Sequence, residues 1–297
     1  MPFSLSRRQM MKISASALLA AGLWPRFARA ADAASKPLTF LQVNDFHFAD
    51  DNCVPFFEGL VKELNKIEKA ALLLIAGDLL DDGTEAQAKA IHDILGKLKM
   101  PYHVTCGNHD FHTQTDRAAF TAVFGDKFNT SFEVDGWQFV GLDSSDGLLS
   151  SSVDARKETL DFAAALPSKL DKNKPTFLFT HFPLAAGVTN RLLNADALLE
   201  PIKQLNLVAT FGGHYHAFTE KTVLTKVTAT TNTCCSFKRA NHDNKFEKGF
   251  LLLEAAEGKC KRTFVEYGTD FKGSATPSNK PLPTTRPTVT DPSQPSF

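Results

Sequence analysis

Ala71-Leu72-Leu73-Leu74-Ile75-Ala76, closed by Gly77-Asp78, is apolar at every position and then turns abruptly polar. A continuous apolar run this short, bounded by a turn signal, suits a strand buried on both faces. The flanks support that reading. From about Pro55 to Lys69, Phe57, Leu60, Val61 and Leu64 recur at three- and four-residue spacing, and from Glu85 to Leu98 so do Ala88, Ile91, Ile94 and Leu98. Both segments read as helices with one apolar face. Leu38 to Val43 upstream and Tyr102 to Cys106 downstream complete an alternation of strands and helices, the order of a sheet covered by helices.

The second half continues with more antiparallel character. Phe132 to Val134 and Phe139 to Leu142 flank Asp135-Gly136, a two-residue hairpin signal. A helix over about Ala155 to Leu166, a strand over Thr176 to Thr180, a helix over about Arg191 to Leu205 and a strand over Leu207 to Phe211 follow. Strands then dominate: Val223 to Thr231, Gly249 to Glu254, and Cys260 to Tyr267. The expected fold class is α/β, with two covered sheets packed together.

The 297 residues suffice for one large core. Paired arginines in Ser6-Arg7-Arg8-Gln9-Met10-Met11-Lys12 precede an apolar run from Ile13 to Trp24, and Ala28-Arg29-Ala30 follows. A charged start, a short apolar stretch and small residues at the cleavage positions read as a signal peptide over 1–30. The arginine pair is similar to a twin-arginine signal. Export to the periplasm or beyond, with the twin-arginine machinery as partner, is the expectation. Cleavage after Ala30 would remove five basic and no acidic residues from a balanced total of 33 each, leaving a formal charge of about −5. A mildly acidic body is a poor general binder of nucleic acid, and the apolar run is short for a membrane span. No stable nucleic-acid or membrane partner is predicted.

Five cysteines, Cys53, Cys106, Cys234, Cys235 and Cys260, cannot all pair within the chain, and none forms a C-x-x-C motif. Cys106, ending an apolar run, reads as a core residue. Residues 269–297 are rich in Pro, Ser and Thr, a composition expected of a disordered tail.

The chemistry gathers at the strand ends. Asp45-Phe46-His47, Gly77-Asp78, Gly107-Asn108-His109-Asp110, Thr180-His181 and Gly213-His214-Tyr215-His216 each follow a strand. Loops beyond the carboxyl ends of parallel strands share one crevice, so these segments can meet although they lie far apart in sequence. Carboxylate and amide oxygens mixed with imidazoles suit Mn, Fe or Zn rather than an all-oxygen cation such as Mg or Ca.

This ordered set resembles the calcineurin-like metallophosphoesterase family, whose pattern runs D-x-H, G-D-x-x-D, G-N-H-D/E, H and G-H-x-H. Its G-N-H-D form is similar to that of bacterial cyclic-nucleotide phosphodiesterases. The resemblance implies a four-layer αββα sandwich, two mixed β-sheets flanked by helices, over residues 37–268. It also implies two divalent or mixed-valence transition metals (Mn, Fe or Zn). One would be held by Asp45, His47, Asp78 and His216; Asp78 would bridge to the second, completed by Asn108, His181 and His214. A hydroxide shared between them would attack phosphorus in line, with His109 as general acid. Asp81, Asp110, His112 and Tyr215 are further candidates, for support of the site or contact with a small phosphate-ester substrate. His92, His103 and His242 read as structural or surface groups.

Two departures narrow the chemistry. Purple acid phosphatases carry a tyrosine ligand in G-D-x-x-Y, where this chain has Asp81. Protein Ser/Thr phosphatases of the family carry an arginine just before G-N-H, where this chain has Thr105 and Cys106. The missing cation favours a diester monoanion over a monoester dianion. The expected function is a metal-dependent phosphodiesterase; an exported broad-specificity phosphomonoesterase and a non-catalytic metal-binding envelope protein are the alternatives.

Overall fold

A computed structural model describes residues 35–268; the signal-peptide and tail expectations lie outside them. The first sheet contains β1 (Leu38–Val43), β2 (Ala70–Ala76), β3 (Tyr102–Thr105), β10 (Gly249–Ala256) and β11 (Lys259–Glu266), in the order β11-β10-β1-β2-β3. The second contains β4 (Thr130–Val134), β5 (Trp137–Leu142), β6 (Pro175–Thr180), β7 (Asn206–Gly212), β8 (Thr219–Val223) and β9 (Val227–Thr231), in the order β4-β5-β6-β7-β9-β8. Both sheets are mixed. β1, β2 and β3 are parallel to one another, as are β5, β6, β7 and β9, while β10, β11, β4 and β8 run antiparallel to their neighbours.

The helices are α1 (Val54–Asn65), α2 (Glu85–Leu95), α3 (Ala118–Phe124), α4 (Lys157–Lys169) and α5 (Ala195–Ile202). Their placement explains why the central strands are apolar throughout. Side chains alternate between the two faces of a strand. Leu72 and Leu74 of β2 join Phe40 of β1 and Trp137, Phe139, Phe177, Phe179 and Phe211 of the opposite sheet in one apolar layer. Leu73 and Ile75 face the other way, into a core shared with Phe57, Leu60 and Leu64 of α1 and Ala88 and Ile91 of α2. The second sheet repeats the arrangement, with Val140, Leu142 and Leu178 against Ala163, Leu166, Leu198 and Leu199 of α4 and α5. The result is the four-layer αββα sandwich. Phe40 sits at the centre of the inter-sheet layer, its ring centroid 5.2 Å from Phe139 in edge-to-face geometry and 4.9 Å from Phe177; such ring pairs add to the stabilisation from burial itself.

Two expectations are corrected and one helix is added. The single strand foreseen over Val223 to Thr231 is the β8–β9 hairpin, reversed at Leu224 and Thr225, both with positive φ (48° and 66°). Neither residue is a turn former, so the left-handed conformation left no local signal. The helix expected over about Arg191 to Leu205 is confined to Ala195–Ile202. α3 was not foreseen; with seven residues and only Phe120 fully buried, it carries little periodic pattern.

Candidate metal centre

Five of the residues singled out at the strand ends adopt left-handed backbone conformations: Asp45 (φ 55°), His47 (46°), Asp78 (53°), His214 (65°) and His216 (48°). This conformation is disfavoured for residues with a Cβ, and strain of this kind concentrates at functional sites. These residues lie just beyond the ends of β1, β2 and β7, where the chain leaves the sheets. Main-chain bonds hold these segments together: Asp45 N donates to Gly77 O (3.1 Å), His47 N to Asp78 O (3.0 Å), and Gly213 N to His181 O (2.9 Å).

Two donor clusters result. Asp45, His47, Asp78 and His216 present one donor atom each within 4.8 Å of one another, and so do Asp78, His181 and His214. Asp78 belongs to both: its Oδ2 lies 3.6 Å from His47 Nε2 and 3.4 Å from His181 Nε2. Asn108 Oδ1 stands 3.3 Å from His181 Nε2, in the second cluster. All seven side chains are buried.

The imidazoles are oriented from behind. His181 Nδ1 donates to Ala76 O (2.9 Å), His216 Nδ1 to Ala240 O (3.2 Å), and His214 Nε2 to Ser150 O (2.7 Å). A carbonyl can only accept, so the outer nitrogen of each ring carries the proton and the inner nitrogen presents a lone pair. The inner nitrogens meet in pairs, His47 Nε2 with His216 Nε2 at 3.1 Å and His214 Nδ1 with His181 Nε2 at 3.2 Å. In the His181–His214 pair both outer nitrogens are committed to carbonyls, so two lone pairs face each other there and call for a positive charge between them. The donor set and its geometry therefore fit a pair of transition-metal cations.

The acid–base character of the apo site agrees. Burial would lower both His216 and His181, yet Asp45 holds His216 well above the ordinary imidazole value and Asp78 pushes His181 up to about 9. Their counterparts move the other way: burial lowers His47 to about 4, and burial with the His181 charge lowers His214 to about 3. Burial disfavours the Asp45 charge, but His216 and His181 outweigh it and hold that carboxyl at about 2. Asp78 is likewise held well below its usual range, with burial opposed chiefly by His181 and His109.

The remaining residues named from sequence divide. His109 lies at the rim, with His47, Asp81 and His109 forming a third donor group. Its backbone N–H donates to Asp78 Oδ1 (2.8 Å) and its Nδ1 to Asp81 O (2.8 Å), which leaves Nε2 as the free end of the ring. Asp110 does not orient that ring. It accepts from the backbone amides of Asp78 (3.0 Å), Leu80 (2.9 Å) and Gly107 (2.8 Å), tying two ligand-bearing loops together. Burial and the Asp78 charge push its carboxyl up to about 8. Asp81 does not cap α2, whose cap is Thr84; it pairs with Arg239 and lies 3.4 Å from His47 Nδ1. His112 is exposed and bonds Asp82 O (3.2 Å), outside both clusters. Tyr215 is half-buried against the α4–α5 core. His103 stacks on Phe132, and His242 stacks on His216 at 4.8 Å. The five cysteines are all free, with Cys106 buried in the core beneath α1 and α2.

Sequence reading missed Asn44, Arg239 and the carbonyls of Ala76, Ser150 and Ala240. Asn44 Nδ2 donates to Asp45 Oδ2 and is itself fixed by Gln42 Nε2 (3.0 Å). Its position beside Asp45 was the available signal; the carbonyls belong to residues whose side chains say nothing.

A double-sheet sandwich with a two-cluster donor set at its strand ends defines a dinuclear metal-dependent phosphoesterase. The chain belongs to the calcineurin-like phosphoesterase family, whose model matches residues 38–218. It is 25% identical over 243 residues to a 3',5'-cyclic-nucleotide phosphodiesterase of Nostoc sp., a match covering 73% of this chain and 88% of that protein. Among solved structures, a dimetal phosphatase from Danio rerio superposes with a TM-score of 0.58 at 15% identity, over 74% of this chain and 93% of that one. GAP50, described as the anchor in the inner membrane complex of Plasmodium, superposes with a TM-score of 0.57 at 15% identity, over 80% and 86%. An enzyme and an anchor sharing one fold show that such likeness speaks for architecture alone.

Proposed function

We propose that the chain is an exported phosphodiesterase acting on a small diester of the cyclic-nucleotide class. The observation that carries the catalytic part is Asp78, a single carboxylate reaching both imidazole clusters. Asp45, His47, Asp78 and His216 would hold one cation, and Asp78, Asn108, His181 and His214 the other. Bound there, the pair supplies Lewis-acid charge and lowers the pKa of water. The chain's own groups do the rest. Asp45 and Asp78 confine positive charge to the crevice, and the backbone carbonyls behind the histidines keep the rings from turning. His109, its Nδ1–H fixed on Asp81 O, presents Nε2 to deliver a proton to the departing alkoxide.

The diester preference is supported by the matched relative and by the buried Thr105 and Cys106 where a monoester clamp would place arginine. Export by the twin-arginine route is supported by Arg7-Arg8 and the apolar run after them; Arg7→Lys with Arg8→Lys should strand the protein in the cytoplasmic fraction.

The test is metal analysis together with hydrolysis of bis-p-nitrophenyl phosphate, p-nitrophenyl phosphate and 3',5'-cyclic AMP. Two bound metals with faster diester turnover are expected. A monoester preference would replace the substrate class, and bound metal without turnover on any ester would sink the enzymatic reading. His109→Ala should keep its metals and lose about 10²–10⁴ in turnover, most for poor leaving groups; an equal loss for all of them removes the proton-donor role.

A further inference from the structure

The segment between β9 and β10, residues 232–248, lies beyond the stretch matched by the family model, yet it closes one side of the site. Cys235 N donates to Asn44 O (3.1 Å) and His242 N to His216 O (3.1 Å), while Ala240 O takes the His216 Nδ1 proton. The segment is also braced internally. Ser236 Oγ accepts from the amides of Lys238 (3.2 Å) and Arg239 (3.1 Å), and Asn241 spans from Cys234 N (3.1 Å) to Glu247 O (2.7 Å). Lys238 is engaged outside the site, in an ion pair with Asp50.

Arg239 is the residue this bracing brings to the rim. Its Nε (2.9 Å) and Nη2 both reach a single oxygen, Asp81 Oδ1, so the guanidinium is not in the two-oxygen fork that satisfies it best. Its third nitrogen, Nη1, makes no hydrogen bond within the described residues. Asp81 in turn groups with His47 and His109, and its backbone carbonyl holds His109 Nδ1 while its side chain holds the guanidinium. The Arg239 side chain is 19% exposed and that of Asp81 20%, so the pair borders solvent.

We propose that Arg239 is the phosphate-anchoring residue of the site, binding a non-bridging oxygen of the substrate's phosphate from the Asp81 side of the crevice. The inference rests on the phosphoesterase reading and deepens it. An arginine missing before Gly107 is supplied instead from the far end of the domain, and one guanidinium matches the single negative charge of a diester. Asp81 holds the guanidinium in place.

The test is calorimetric binding of inorganic phosphate to the metal-loaded full chain, with metal content measured on each variant. Arg239→Ala should retain both metals and bind phosphate about 10- to 100-fold more weakly, and its turnover of bis-p-nitrophenyl phosphate should be partly restored by added guanidinium. Lys238→Ala, which removes the neighbouring ion pair without touching the rim, should bind phosphate as the wild type does. Unchanged phosphate affinity in Arg239→Ala overturns the proposal. So does an equal loss in Lys238→Ala, since the effect would then be docking of the segment. Should Arg239→Ala fail to fold, Arg239→Met, which keeps the apolar stem and removes the charge, reports the affinity instead, and wild-type binding there overturns the proposal equally. If the wild type hydrolyses no ester while Arg239→Ala still loses phosphate, the anion site stands and the enzymatic reading falls.

Discussion

A Cβ built on Gly107 would lie 2.1 Å from Asp78 Oδ1 and 2.4 Å from the Asp78 backbone nitrogen. The carboxylate shared by both donor clusters is seated against a backbone that must lack a side chain. The same device recurs at Gly213, where a Cβ would come within 2.5 Å of Asp45 Oδ2, and at Gly77, where it would meet the His181 ring at 2.5 Å. Gly107→Ala should therefore displace Asp78 at an overpacking cost of about 1–3 kcal/mol. Mass-spectrometric metal analysis should show fewer than two metals per chain with circular dichroism unchanged. Gly187→Ala is the control: φ is +75° but nothing lies within 4 Å, so it should cost about 1–2 kcal/mol of stability and keep both metals. Two metals in Gly107→Ala would mean that Asp78 tolerates the intrusion.

Metal ions and protons compete for the same imidazole nitrogens. With His181 raised to about 9, that ring is protonated at neutral pH in the metal-free protein. Metal affinity should then rise with pH by about tenfold per unit for each proton displaced, levelling off above about pH 9. Calorimetry in buffers of different ionisation heat counts the protons released. A pH-independent affinity between 6 and 8 would show that the apo site is already unprotonated. Removing the metals should also lower the melting temperature, since saturation at 100-fold over Kd contributes about 2.7 kcal/mol.

Asp110→Ala would strand three backbone amides, those of Asp78, Leu80 and Gly107. Each unsatisfied buried donor costs about 1–3 kcal/mol, so urea unfolding of the apo protein should show a loss of at least about 3 kcal/mol. A loss below about 1 kcal/mol would mean that water enters and replaces the carboxylate.

His103 stacks on Phe132 with ring centroids 3.7 Å apart, and burial lowers its pKa below 6.5. A base with a depressed folded-state pKa stabilises above its unfolded value, here 6.5, and that contribution is lost as pH falls toward the folded one. His103→Phe keeps a stacked ring and removes the titration. Its melting temperature should fall less steeply than the wild type's between pH 6.5 and 5; parallel curves would place the acid sensitivity elsewhere.

The layered fold was legible because burial on two faces leaves an unmistakable pattern. Leu72 and Leu74 must be apolar for one layer, Leu73 and Ile75 for the other, so β2 reads as an unbroken run. Asp135-Gly136 announced the β4–β5 hairpin, whereas Leu224-Thr225 hid the β8–β9 hairpin because residues without turn propensity occupy left-handed positions. At the site, Asp45, His47, Asp78, Asn108, His181, His214 and His216 could be listed from sequence since each follows a recognisable strand end. Arg239 could not, because a lone arginine in an irregular segment has no spacing relation to anything it touches.

Sequence alone determined most of the strands and helices and the seven candidate ligands at the strand ends, since periodicity and residue type are properties of the chain read in order. Tertiary structure alone decided that Asp78 stands between two imidazole pairs, that carbonyls of Ala76, Ser150 and Ala240 set the ring orientations, and that Arg239 arrives beside Asp81. Those relations join residues up to 169 positions apart, as His47 and His216 are. Only the packing of two twisted sheets fixes such distances, because no local conformational preference reaches across that length of chain.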